Sequence, residues 1–198
     1  MSWSDQIGFP LLSVITFLPL AGVVLILLVG RGKPVVYKVI SLIVTLAAFA
    51  LSAWMLFAFK TKLPGMQFAE NISWIKPLNI RYGMGVDGIA ALLVFLTTLL
   101  GVIVIIASWN YVKDRELGFF VSLLLLQVGM VGVFCATDLF LFYVFWEAML
   151  IPMYFIIGVW GGPRRIYAAI KFFLYTLAGS VLMLVAMLMV PSMPLIII

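Results

Sequence analysis

One segment constrains this chain more than any other: Asp138–Trp160 is long enough to cross a bilayer and contains a single glutamate, Glu147, in an otherwise apolar run. At ~1.5 Å per residue, Glu147 lies roughly 13 Å from the Asp138 end, close to the centre of a ~30 Å hydrocarbon layer. A charge there costs about 2.5 to 3.5 kcal/mol on insertion scales, and protonating a glutamate at pH 7 costs roughly 3.7 kcal/mol. Because these costs are similar, a neighbouring cation favours the charged form and its withdrawal favours the protonated form, as a proton relay requires.

Pro152 follows Glu147 by five residues and cannot donate the backbone hydrogen bond that the carbonyl of Ala148 would otherwise accept. We therefore expect a free acceptor and a kink beside Glu147, where water can gather. The alternative is structural. In that case Glu147 pairs with a polar side chain of an adjacent helix and stabilises the bundle.

The amino-acid composition is typical of a membrane protein. Its 198 residues are 66% hydrophobic and 10% charged, whereas soluble domains are about 45–50% apolar and ~25% charged. The net charge of +5 is too small and too scattered for a nucleic-acid-binding surface. One cysteine and no histidine exclude an internal disulfide, cysteine or histidine metal centres and Ser-His-Asp catalysis. We therefore expect redox chemistry to lie elsewhere.

Six apolar stretches predict an all-α, polytopic membrane helix bundle that forms one transmembrane domain over residues 1–198. The predicted helices cover residues 10–29, 36–59, 86–109, 117–135, 138–160 and 166–190. Residues 60–85 contain prolines, glycines and mixed charges, which predict an ordered extramembrane loop. The N-terminus has no basic region, so the first helix is expected to be retained rather than cleaved.

Lysine and arginine are distributed unevenly between the two sides of the predicted bundle. The positive-inside rule therefore predicts an external N-terminus and cytoplasmic loops after the first, third and fifth helices. These loops hold seven basic residues and the opposite side holds four. The seven are Arg31, Lys33, Lys38, Lys113, Arg115, Arg164 and Arg165, and the four are Lys60, Lys62, Lys76 and Arg81.

Lys171 is the one lysine clearly inside a predicted span. It lies about six residues, or ~9 Å, from Arg165, whereas Glu147 lies ~20 Å from the same side at Trp160. The two residues thus differ in depth by ~10 Å, which predicts a water-bridged step between them rather than a direct ion pair. The alternative is that Lys171 snorkels to the cytoplasmic interface beside Arg164 and Arg165.

Other motifs have structural explanations. The run Arg81–Gly88, RYGMGVDG, formally contains a GxGxxG motif, but we expect no buried strand before it and no dinucleotide site. Its glycines are expected to shape a tight turn into the third helix. Asp87 and Asp138 stand at helix starts, where N-capping explains them. Asp114 and Glu116 are expected to be solvated loop charges.

Three stretches together resemble the antiporter-like membrane subunits, in particular the chain M subunits of NADH-quinone oxidoreductase, respiratory complex I. They are RYGMGVDG, FWEAMLIPMYFIIGVWG and GPRRIYAAIKFFLYTLAGS. A glutamate separated from a proline by four residues, with an inset lysine on the next helix, is far more specific than hydrophobicity. Mitochondrial subunit four and the antiporter-like subunits of multisubunit cation/proton antiporters are similar.

The resemblance implies a fourteen-helix fold of two inverted five-helix repeats, with a proton path along charged residues at the membrane centre. It matches Glu147 to the family's fifth-helix glutamate and Lys171 to its sixth-helix lysine, both as proton-relay residues. NADH, FMN, iron–sulfur clusters and quinone are implied to bind to other subunits, so no cofactor is expected in this chain. The implied partners are other membrane-arm subunits and the lipid bilayer, in the inner (plasma) membrane of a bacterium.

The chain ends after its sixth predicted helix, so we expect a truncated or incomplete subunit that cannot supply a whole proton path alone. The main prediction is a subunit that couples electron transfer from NADH to quinone to proton movement. Two alternatives stay open: a subunit of a redox-independent sodium/proton antiporter, and a packing subunit with no transport role.

Overall fold

A computed structural model describes residues 9–29, 34–60, 65–75 and 80–189. Arg31, Lys33, Lys62 and Lys76, together with the predicted end of the last helix at Val190, lie outside the described residues. The described helices are α1 (Leu11–Val29), α2 (Pro34–Ala58), α3 (Gly88–Ala107), α4 (Glu116–Cys135), α5 (Leu139–Trp160) and α6 (Arg165–Met189), and the strands are β1 (Gln67–Ile75) and β2 (Ile80–Val86).

The six described helices are each long and apolar enough to cross a membrane. They contain 19 to 25 residues and reach mean hydropathies of 1.9 to 3.0. At ~1.5 Å per residue, such helices span the ~30 Å hydrocarbon layer directly or with a modest tilt. The predicted fold class, an all-α polytopic membrane bundle of about six spanning helices, is confirmed for the described part of the chain.

The chain divides into two compact units, Met1–Met149 and Leu150–Ile198. In the first unit, α1 packs against α2 and α4, and α3 packs against α2 and α4. Its core is made of aliphatic, methionine and aromatic side chains from the helices and from both strands. They include Leu12, Ile15, Met55, Phe68, Met84, Val94, Val131 and Phe145.

The second unit contains the C-terminal part of α5 and the whole of α6. The ring centroids of Tyr154 on α5 and Phe173 on α6 lie 5.7 Å apart in an edge-to-face arrangement. A Cβ added at Gly158 would come into ordinary contact with the buried Ala169. The two helices therefore contact each other through these four residues within this unit.

The segment between α2 and α3 contains an antiparallel β-hairpin, which the sequence analysis does not predict. Its register places Gln67 opposite Val86 and Ile75 opposite Ile80. Residues 83–86 of β2 are buried, so this part of the segment is not a surface loop.

Gly83 and Gly85 lie within β2 and do not form a turn into α3, so the expected role of these two glycines is wrong. The Gly83 carbonyl accepts a hydrogen bond from the Thr137 N–H at 2.9 Å, and a Cβ on Gly83 would overlap the Thr137 hydroxyl. Glycine therefore allows the α4–α5 turn to approach the strand. No buried strand is expected before the motif, and the structure places residues 81–86 of the motif inside β2 itself, with residues 83–86 buried. This strand belongs to a two-stranded antiparallel hairpin, whereas the GxGxxG motif of a dinucleotide site opens a helix within a parallel βαβ unit.

Candidate functional site

Glu147 lies eight residues after the start of α5, or ~12 Å along the helix. The neighbouring Phe145 and Met149 face α4, because a Cβ on Gly132 would overlap the Phe145 ring and one on Gly129 would overlap the Met149 side chain. Successive helical residues are rotated by ~100°, which places Glu147 about 200° from Phe145. The Glu147 side chain therefore leaves the helix on the side that does not pack against α4.

The Glu147 side chain is half-buried, and its Oε1 atom is fully enclosed. No group in the described residues forms a hydrogen bond with this oxygen. A buried polar atom without a partner costs about 1–3 kcal/mol, and more when it is charged. The structural alternative for Glu147 needs a polar partner on an adjacent helix, and the described part of the chain provides none for Oε1.

Lys171 lies on the exposed surface of α6, between two tyrosines of the same helix. Its Nζ is 5.9 Å from the ring centroid of Tyr167 and 5.8 Å from that of Tyr175, four residues to either side. Cation–π contacts of this kind stabilise an ammonium by about 0.5–1 kcal/mol at exposed sites. Lys171 belongs to the second unit and Glu147 to the first. The predicted water-bridged step between them stays a prediction.

Two aspartates cap helices, as the sequence analysis proposes. The Asp87 carboxylate accepts a hydrogen bond from Ala90 N–H at 2.7 Å and forms the N-cap of α3. The Asp138 Oδ1 atom accepts from the N–H groups of Phe140 and Leu141 at 2.9 and 3.2 Å. Its Oδ2 atom accepts from Arg81 N–H at 3.4 Å, which also ties the start of α5 to the hairpin. Both carboxylates are therefore structural.

The expectation that Glu116 is a solvated loop charge is wrong. Its carboxylate lies 3.2 Å from Lys38 Nζ, and the two side chains are only 14% and 12% exposed. The contact is an ion pair without hydrogen-bond geometry. It joins α2 and α4 near their N-terminal ends.

Glu70 on β1 is buried, and the sequence analysis does not single it out. Its Oε1 atom accepts hydrogen bonds from Leu12 N–H at 2.8 Å and Ser13 N–H at 3.3 Å, and its Oε2 atom accepts from the Ser13 hydroxyl. These donors lie at the N-terminus of α1, where unpaired N–H groups and the helix dipole favour a negative charge. The hairpin thus supplies the N-terminal carboxylate of a helix nearly sixty residues earlier in the chain.

Tyr82 on β2 extends this cluster. Its hydroxyl lies 2.7 Å from Ser13 Oγ and 2.7 Å from Met84 Sδ. Burial raises the pKa of Tyr82 above its ordinary value, and the nearby Glu70 charge adds to this, whereas the hydrogen bond with Ser13 acts in the opposite direction. Tyr82 therefore stays a neutral donor at physiological pH. No local sequence signal indicates this site, because its backbone donors come from a helix far away in the chain.

Gln127 is a second polar residue inside the bundle that the sequence analysis misses. It is 3% exposed and lies against Gly101 of α3, where a Cβ would meet its amide. No group in the described residues pairs with its Nε2 atom, and Gln127 lines a cavity of about 120 Å³ between α3 and α4. No group of three or more His, Cys, Asp or Glu residues in the described chain could hold a metal ion.

Two models of known protein families match the sequence. The family model described as NADH-ubiquinone oxidoreductase chain 4, amino terminus, matches residues 14–133, more than half of the sequence. The chain belongs to this chain 4 family. The model described as NADH:quinone oxidoreductase/Mrp antiporter, TM, matches residues 136–193, which include Glu147 and Lys171.

The chain is also similar in sequence to individual proteins of this family. The chain is 49% identical over 181 residues to NADH-quinone oxidoreductase subunit M of Rhodobacter capsulatus, covering 89% of this chain and 35% of that protein. It is 40% identical to subunit M of Rickettsia conorii, covering 94% and 39%. It is 38% identical to NADH-ubiquinone oxidoreductase chain 4 of Arabidopsis thaliana, covering 90% and 36%. The chain therefore spans between a third and two fifths of the length of these relatives.

Solved structures show the same architecture. A chain of respiratory complex I from Thermus thermophilus superposes with a TM-score of 0.72 and 28% identity, covering 89% of this chain and 35% of that one. A chain of the Mrp complex from Dietzia sp. gives a TM-score of 0.73 at 19% identity, covering 92% and 19%. The second match shows the fold alone. The predicted resemblance to antiporter-like membrane subunits is confirmed.

Proposed function

We propose that this chain is the N-terminal part of a proton-translocating membrane subunit of NADH:quinone oxidoreductase. It lies as a multi-pass protein in the plasma membrane of a bacterium, among other membrane-arm subunits and lipid. Membership of the chain 4 family and the names of its relatives support this function. The observation that carries it is the enclosed Glu147 oxygen without a hydrogen-bond partner in the described part of a membrane-spanning helix.

Glu147 takes up and releases the proton. The cost of holding its charge within the membrane and the cost of protonating it are similar, so a modest change in the local field changes its state. An approaching cation favours the carboxylate, and its withdrawal favours the carboxylic acid. Because the side chain points away from α4, the carboxyl group can exchange its proton without breaking the α4–α5 contact.

Lys171 acts as the second relay group. The unit that contains it has no Asp or Glu, so its ammonium has no acidic partner within Leu150–Ile198. The faces of Tyr167 and Tyr175 provide weak stabilisation in place of an ion pair.

Redox groups bind to other subunits of the proposed complex. Iron–sulfur clusters are held mainly by cysteine thiolates, and this chain has one cysteine, buried, and no histidine. The donor set does not fit such a cluster. NADH, FMN and quinone are likewise proposed to bind elsewhere, and this chain contributes only proton movement.

NADH-driven proton pumping by membranes that carry the full-length subunit tests the relay. Glu147→Gln preserves size and hydrogen bonding but removes the titratable group, so we expect pumping to fall by about 10²-fold or more while assembly survives. Glu147→Asp keeps an acid and should retain intermediate activity. Lys171→Ala should lower pumping, whereas Lys171→Arg keeps the charge and much of the activity.

Pumping is normalised to assembled complex on a native gel. Normal pumping by the Glu147→Gln variant would show that the carboxylate is structural. Full activity of Lys171→Ala would remove Lys171 from the relay and favour the snorkelling interpretation.

A redox-independent sodium/proton antiporter subunit is the second candidate. The family model that matches residues 136–193 covers both NADH:quinone oxidoreductases and Mrp antiporters. Ion exchange driven by an imposed sodium gradient, in membranes without NADH, separates the two functions. Exchange that needs Glu147 but not NADH oxidation favours the antiporter.

A further inference from the structure

The turn between α5 and α6 forms a wide depression within the second unit. The turn is held by backbone hydrogen bonds from Arg165 N–H to the Gly162 carbonyl and from Ala168 N–H to the Arg164 carbonyl, each at 3.0 Å. The depression has a volume of about 610 Å³. Its walls are the turn, the first two turns of α6 as far as Phe172, and Ile157 at the end of α5.

The charge of this depression is unbalanced. Arg164, Arg165 and Lys171 line it with exposed side chains. The whole segment Leu150–Ile198 contains no Asp or Glu, so no carboxylate of the same unit neutralises these cations. The N-terminal end of α6 adds further positive partial charge.

A second basic depression on the first unit provides a contrast. It has a similar volume of about 580 Å³ and is lined by Lys113 and Arg115. There the chain supplies its own anions, because Asp114 separates the two basic residues and Glu116, which pairs with Lys38, lies in the wall. Two depressions on basic loops thus differ mainly in whether an internal counter-charge is present.

The position of the α5–α6 turn indicates which kind of anion would balance this charge. The turn joins two membrane-spanning helices and therefore lies at the level of the lipid headgroups. Tyr167 in its wall is a residue typical of this interface. Ile157 and Phe172 provide an apolar wall beside the cations. An amphipathic anion, with a phosphate near the arginines and an acyl chain along the apolar wall, matches this arrangement better than a soluble phosphate.

We propose that the depression at the α5–α6 turn binds the headgroup of an anionic phospholipid, with Arg164 and Arg165 as the donors to its phosphate. Arginine presents planar, paired donors that match phosphate oxygens. The proposed relay residue Lys171 lines the same depression, so the test leaves Lys171 unchanged.

The test measures lipid binding to the protein purified from membranes, by native mass spectrometry with phosphatidylglycerol and phosphatidylcholine. Each cation near an anionic headgroup strengthens its binding several-fold, so Arg164→Gln with Arg165→Gln should weaken phosphatidylglycerol binding by about 30-fold. Binding of the zwitterionic phosphatidylcholine should change little. The matched control, Lys113→Gln with Arg115→Gln, removes two basic residues that have internal counter-charges and should retain phosphatidylglycerol binding.

Unchanged phosphatidylglycerol affinity in the double arginine variant overturns the proposal, as does an equal loss in the Lys113 and Arg115 control. If millimolar glycerol 3-phosphate displaces the lipid, the ligand is a soluble phosphate compound and the lipid assignment is wrong. The single variants Arg164→Gln and Arg165→Gln, expected to lose about 5-fold each, keep the test decisive if the double variant does not insert.

Discussion

At the scale of single residues, two glutamates in apolar surroundings have opposite environments. Glu70 is buried, and its oxygens accept two backbone N–H groups and a hydroxyl. Glu147 has an enclosed oxygen with no hydrogen-bond partner in the described residues. The donors around Glu70 tie the hairpin to α1 and stabilise the fold, whereas the enclosed Glu147 oxygen makes no such bond within the described residues. This contrast supports a structural role for Glu70 and the proposed exchange role for Glu147.

Replacing Glu70 should destabilise the first unit. Glu70→Ala leaves the Leu12 and Ser13 N–H groups without their acceptor, and we expect a loss of about 2 kcal/mol and a Tm lower by roughly 4–8 °C. Glu70→Gln retains one acceptor and should lose about half as much. The measurement is labelling by a fluorogenic maleimide on heating, because the single cysteine, Cys135, is fully buried and reacts only on unfolding.

The neighbouring Asn71→Ala, at an exposed position of the same strand, is the control and should change stability by less than about 0.5 kcal/mol. Equal melting temperatures for Glu70→Ala and Asn71→Ala would show that the hairpin carboxylate does not stabilise α1.

At the scale of helices, the contact between α4 and α5 depends on residues without side chains. Gly132 and Gly129 lie under Phe145 and Met149, and a Cβ on either glycine would overlap its partner. In a membrane the hydrophobic effect does not drive helices together, so close packing through small residues contributes much of their association. The position of Glu147 therefore depends on this contact.

Gly132→Ala should force α4 and α5 apart, because the aromatic ring of Phe145 is rigid and cannot yield as a flexible chain would. We expect a loss of about 1–3 kcal/mol, measured as loss of helical circular dichroism on heating. Gly179→Ala on α6 is the matched control, since a Cβ there meets nothing within 4 Å. It should be neutral or slightly stabilising. A Gly132→Ala variant as stable as Gly179→Ala would contradict the packing argument.

At the scale of the whole molecule, long-range contacts in the first unit show which loops share a side. Contacts of Glu70 with α1 and of Gly83 with Thr137 bring the start of α1, the hairpin and the α4–α5 turn together. The ion pair between Lys38 and Glu116 joins the N-terminal ends of α2 and α4. These two ends of the unit are the two sides that the distribution of basic residues predicts. Which of the two sides faces the cytoplasm stays a prediction.

Cysteine labelling in intact cells tests that orientation. In a Cys135→Ala background, Lys113→Cys should resist a membrane-impermeant thiol reagent because its loop is predicted to be cytoplasmic. Asn71→Cys, at an exposed position of the hairpin, should label readily. The reverse pattern would invert the predicted topology.

Sequence alone determined the membrane class and the spanning helices, and it predicts a mid-membrane position for Glu147. These properties depend on local features: a spanning helix satisfies its own backbone hydrogen bonds, and its length follows from a continuous apolar run. Local sequence also identifies Asp87 and Asp138 as helix caps, because the N–H groups that they bind lie two or three residues further along the chain.

Tertiary structure alone decided the roles of Glu70, Glu116 and Gly83. Each partner is far away in the chain: Glu70 bonds to residues 57 and 58 positions earlier, Glu116 pairs with Lys38, and Gly83 meets Thr137. A charged residue in a loop of mixed charges has the same local sequence whether it is solvated or buried against a helix end. Its environment is set by which distant backbone donors the folded chain brings to it, and no local periodicity encodes that choice.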